Sequence, residues 1–153
     1  MSNENLDVIK LKAACDAAIA NPAYQPKKTE WGTLETHCNQ AVVEIAGKMG
    51  VGLPLVCADE LCDLFAQKWE LVSPENAVQI ALFGGVCVAG RKFTGHGHVA
   101  VVYPAQMQFS ATYQKAVPVL ANVGKENRVM RVSEAFREAE APDYWAAPRE
   151  VKP

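Results

Sequence analysis

Cys38, His98 and Asn122 are the residues whose types and settings come nearest to assembling a reaction. A thiol becomes a nucleophile when a base takes its proton, and an imidazole is suited to that task near neutral pH. Cys38 opens a strongly amphipathic segment. With Thr36 as N-cap it would be the second helical residue, where free N–H groups and the positive end of the helix dipole favour a thiolate. A loop in front of it would leave the sulfur reachable. The plainer alternative is that Cys38 is only the first apolar residue of the helix, because free cysteines commonly pack as small hydrophobes.

His98 is the preferred base. The run Gly95-His96-Gly97-His98 leads straight into Val-Ala-Val-Val-Tyr, so His98 begins a strand. It shares a sheet face with Ala100 and Val102, and a helix packed on that face would bring Cys38 to the ring. His37 neighbours the cysteine and projects about 100° away around a helix, which makes it a poor base. His96, between two glycines, belongs to the turn, and His-Gly-His alone is a weak metal signal. For the group that orients the imidazole, Asn122 on the following strand is preferred over Gln108 and Glu126. Its competing reading is a strand-end residue that closes a turn with Gly124.

These groups need elements to hold them. Cys38, Ala41, Val42, Ile45, Ala46 and Met49 form one stripe at helical spacing, ended by Gly50 with Pro54 beyond. An alanine-rich helix over about 5–20, with Leu6, Ile9, Ala13 and Ala17 near helical spacing, is closed by Asn21-Pro22. A loop follows over 21–35. Ala58, Leu61, Cys62, Phe65, Ala66 and Trp69 define another helix, and Ser73-Pro74-Glu75 opens a short one to about Ala81. Val86 to Ala89, His98 to Tyr103 and Val117 to Val123 read as strands. Helices first and strands afterwards predict an α+β domain with a small antiparallel sheet. The polar tail from about 138 reads as a surface wrap docked by Tyr144 and Trp145.

The rest of the composition narrows the function. The 153 residues are half hydrophobic, enough for the core of one domain. A net charge of −2 gives no basic face for nucleic acid. No apolar run reaches the roughly 18 to 20 residues of a membrane span. Five cysteines, at 15, 38, 57, 62 and 87, form an odd set without C-x-x-C or zinc-finger spacing, so no disulfide framework is expected. The polar, acidic start carries no signal-peptide pattern, so the expectation is synthesis in the cytoplasm.

Thr36-His37-Cys38-Asn39, then Ala41-Val42, Met49-Gly50-Val51, and Gly95-x-Gly-His98-Val99-Ala100-Val101-Val102 together resemble the NlpC/P60 superfamily of papain-like cysteine peptidases and amidases, CHAP-type enzymes included. The likeness covers about residues 30–125 and is nearest to compact type VI secretion amidase effectors and phage-associated lysins. The sequence departs from the family in having His37 and Asn39 flank the cysteine. The resemblance implies a papain-like domain in which Cys38 is the nucleophile, His98 the base and Asn122 the orienting residue, cutting an amide bond in bacterial cell-wall stem peptides. It implies no metal or organic cofactor. Tyr24, upstream of the cysteine, is a candidate to line the oxyanion side.

The expected partners are those stem peptides, with a cognate inhibitor protein as a candidate and a monomer as the expected state; neither nucleic acid nor membrane is expected. A wall substrate would require delivery to the periplasm or cell wall by a secretion system, a phage particle or lysis. Two alternatives remain: another thiol acyl enzyme, such as a deamidase or acyltransferase, or a non-catalytic binding module on the same scaffold.

Overall fold

The computed structural model describes residues 3–94 and 96–148; Gly95 of the glycine-histidine run and the tail over 149–153 lie outside them. The helices are α1 (Asn3–Ala20), α2 (Cys38–Lys48), α3 (Ala58–Lys68), α4 (Pro74–Leu82) and the single turn α5 (Val132–Ala135). The strands are β1 (Lys27–Lys28), β2 (Leu34–Glu35), β3 (Glu70–Val72), β4 (Cys87–Arg91), β5 (His98–Val102), β6 (Gln108–Ser110), β7 (Lys115–Val117), β8 (Val119–Asn122), β9 (Arg128–Arg131) and β10 (Asp143–Ala146). This is an α+β architecture. A six-stranded sheet in the order β3-β10-β4-β5-β8-β9 is antiparallel throughout, with β1-β2 and β6-β7 as separate two-stranded ribbons.

The helix α2 forms where its stripe requires. Cys38, Ala41, Val42, Ile45 and Ala46 are its buried residues, and the helix packs against β5. Val42 and Ile45 are closed to solvent, and burying each such side chain stabilises by roughly 1.5–3 kcal/mol. The helix ends in a Schellman arrangement: Gly50 N–H donates to the Gly47 carbonyl at 3.0 Å and Val51 N–H to that of Ala46 at 2.8 Å. Gly50 sits at φ +81°, a conformation that glycine reaches without a Cβ penalty. Ser73 caps α4 by accepting from Asn76 N–H at 3.1 Å, with Pro74 in the first helical position.

Several expectations change. In α1 the buried face is Leu11, Ala14, Cys15 and Ala18, while Leu6 and Ile9 are exposed. Alanines all round the helix leave its pattern unable to choose a face. Ala66 of α3 is also exposed. The expected strand over Val117 to Val123 divides at Pro118, which has no N–H for a ladder: β7 pairs with β6, and β8 enters the main sheet. The tail is not a surface wrap throughout. Its β10 is an interior strand paired with both β3 and β4, and Tyr144 and Trp145 are buried. Among the described residues, no helix is long and apolar enough to cross a membrane.

Candidate active site

The site lies where α2 begins, beside the start of β5 and the end of β8. Thr36 is not the cap of α2. His37 occupies the N-cap position without a capping side-chain hydrogen bond, so Cys38 is the first helical residue. The His37 ring is engaged elsewhere, through Nδ1 with Gln40 Oε1 and stacked on Tyr24 at 6.0 Å between centroids. Tyr24 in turn donates its hydroxyl to Glu44 Oε1 at 3.2 Å.

The pairing Val101↔Ala121 and Val102↔Leu120 fixes the relation between His98 and Asn122. Continued by one position, that register sets Asn122 opposite Ala100, on the sheet face that His98 shares. The two side chains meet: His98 Nε2 lies 2.7 Å from Asn122 Oδ1. Asn122 is buried, and its Nδ2 donates to the Glu126 carbonyl at 2.9 Å. A carbonyl only accepts, so the amide must turn its NH₂ toward Glu126 and its oxygen toward the ring. Nε2 therefore carries the ring hydrogen, and Nδ1 keeps the lone pair a base needs. Glu126 acts here through its backbone, while its carboxylate pairs with Arg128 at 3.0 Å. Gln108 sits on the separate β6-β7 ribbon.

Two contacts missed by sequence reasoning steady the ring. Phe136 packs on it at 5.2 Å between centroids. A Cβ at Gly124 would lie 3.2 Å from His98 Cε1, so glycine there leaves the ring its space. An isolated phenylalanine in a charged stretch was the available signal for the first. The second had none beyond a turn glycine.

Cys38 departs from the expected exposed, acidified thiol. It is only 8% exposed, and burial, the largest influence, pushes its pKa up. The backbone N–H groups of Val99, Asn39 and Cys38 itself pull the other way. That opposition separates it from the other buried thiols: Cys15, Cys62 and Cys87 are each pushed up to about 12, with no backbone donor pulling back. His98 is held below the usual imidazole value, first by burial, with the Asn122 hydrogen bond opposing and the charge of His96 adding to the depression. Both shifts favour the neutral forms, a thiol and an imidazole. Among the described residues, no hydrogen bond joins the Cys38 thiol to the His98 ring; what the fold pairs directly is His98 with Asn122.

The chemistry available is that of a thiol with backbone donors around it and a neutral imidazole of defined tautomer on the adjoining strand. Among the described residues, no three His, Cys, Asp or Glu side chains converge to hold a metal ion. No family model matches the chain. Over 67 residues it is 37% identical to the Peptidoglycan amidase Tse1 of Pseudomonas aeruginosa, a similarity that covers 43% of this chain and 44% of that protein, less than half the length of either.

Proposed function

We propose that this protein is a peptidoglycan amide hydrolase of papain-like, NlpC/P60 type, with Cys38 as nucleophile, His98 as general base and acid, and Asn122 as the residue that orients the imidazole. The observation that carries the reading is the 2.7 Å hydrogen bond between His98 and Asn122, which leaves Nδ1 free to accept a proton. The partial similarity to a peptidoglycan amidase supports the substrate class. A helix opened by the cysteine, packed on an antiparallel strand opened by the histidine, supports the fold type.

Because the neutral pair is favoured, proton transfer accompanies attack. His98 Nδ1 takes the proton from Cys38 as Sγ bonds to the stem-peptide carbonyl carbon. The carbonyl oxygen takes up negative charge, and N–H groups at the start of α2 offer it hydrogen bonds. Loss of one such donor costs about 10²- to 10³-fold in rate where this has been dissected. Collapse breaks the C–N bond while Nδ1–H protonates the leaving amine. Water then attacks the thioester, giving up a proton to His98, and the carboxylic acid leaves as the thiol is restored. Delivery to the wall, and an inhibitor protein that blocks the site, belong to the same proposal.

A second reading, a non-catalytic binding module, draws on the low exposure of Cys38. Digestion of purified sacculi separates the two. The native protein should release fragments whose masses correspond to hydrolysis of one stem-peptide amide, and Cys38→Ala should release none. Equal fragments from both proteins, or none from either, would reject the hydrolase.

A further inference from the structure

A cavity of about 370 Å³ opens on the far side of the wall that supports the imidazole. Phe136 belongs to both, packing on the His98 ring and lining the cavity with Phe93. Around these rings stand His96, Lys125, Arg137 and Glu140. Lys125 directly follows Gly124, the residue that leaves room for the ring. The cavity and the His98 ring thus share Phe136 as a common wall.

The cations nearby are otherwise committed. Arg128 pairs with Glu126 and Glu134, Arg131 with Glu134, and Lys92 with Asp63. Among the described residues, Lys125 and Arg137 form no ion pair, and Glu140, whose N–H donates to the Arg137 carbonyl, is the carboxylate among the lining residues. Two uncommitted cations against one carboxylate leave a net positive wall over an aromatic floor, a setting that favours an anionic group on an organic fragment.

The direction of proton transfer says which part of a substrate comes here. The imidazole hands its proton to the leaving nitrogen, so the leaving amine must lie against the ring. A fragment that reaches beyond the ring on the Phe136 side would enter this cavity. We propose that this cavity is the leaving-group subsite, and that Lys125 and Arg137 select a stem-peptide residue bearing a free carboxylate. The proposal rests on the hydrolase reading above.

The test uses stem peptides in which each carboxylate in turn is converted to the primary amide. Their binding is measured by calorimetry on the full chain carrying Cys38→Ala, and their turnover on the native chain. One amidation, on the residue that supplies the leaving amine, should weaken binding about 10-fold and raise KM in proportion with little change in kcat. In a Lys125→Met/Arg137→Met variant with an unchanged melting temperature, free and amidated peptides should behave alike. Binding within about twofold for every amidated peptide, or a double variant that discriminates as the native chain does, overturns the subsite. Cleavage without carboxylate preference sinks the subsite alone. Carboxylate preference without cleavage rejects the hydrolase and with it the leaving-group role, leaving the cavity only as a carboxylate-binding site.

Discussion

Asn122 stands between His98 and the Glu126 carbonyl, accepting from the ring at 2.7 Å and donating to the carbonyl at 2.9 Å. Its position fixes which ring nitrogen is bare. Asn122→Ala should therefore lower kcat without greatly changing KM. The loss should be smaller than for His98→Ala, which under the proposed mechanism removes general acid–base catalysis worth about 10²- to 10⁴-fold. Leaving the half-buried His98 ring and the Glu126 carbonyl without this partner should also cost about 1 kcal/mol of stability, seen in denaturant melts. Full activity in Asn122→Ala would remove it from the mechanism.

The protonation states give a pH prediction. Burial lowers the His98 pKa and raises that of Cys38, so in the proposed mechanism the reactive form is neutral imidazole with protonated thiol. As pH rises through the depressed His98 pKa the base becomes available, which puts the acid limb of kcat/KM below the ordinary imidazole value of 6.5. The alkaline limb follows thiol ionisation and lies above the ordinary thiol value of 9.0. The ultraviolet thiolate absorbance of the native protein at neutral pH should match that of Cys38→Ala. Excess thiolate absorbance in the native protein would show a preformed ion pair instead.

Placing the tail inside the sheet has a cost that can be measured. Trp145 is buried on β10 and packs on Phe65 at 5.7 Å between centroids. Trp145→Ala should destabilise by about 3–5 kcal/mol, as emptying a large aromatic site does. A change below about 1 kcal/mol, typical of surface positions, would return this segment to the surface.

How far these features could be read in advance depended on how strongly local pattern determines each one. The stripe from Cys38 to Met49 and the β-branched run after His98 carry their own periodicity, and α2 and β5 lie where it puts them. Asn122 was legible as a polar residue ending an apolar strand, and it meets His98 because antiparallel register brings that end back. The strand β10 was not legible. Four residues in a polar, proline-flanked tail show no alternation, and its pairing with β3 and β4 is wholly long-range. The burial of Cys38 was hidden for a related reason: spacing shows which face of a helix is apolar but not how closely its first turn is covered.

The central claim is that Cys38 carries the acyl group. Its most direct test is intact-protein mass spectrometry after mixing with an activated ester of the acyl-side peptide and quenching in acid, since a good leaving group lets acylation outrun deacylation and the acyl-enzyme accumulate. The native chain should gain the mass of one acyl group, located on the Cys38 peptide. Cys38→Ala should gain nothing, and His98→Ala should acylate far more slowly. Hydrolysis of the ester with no adduct on Cys38, or an adduct that persists in Cys38→Ala, would contradict the account.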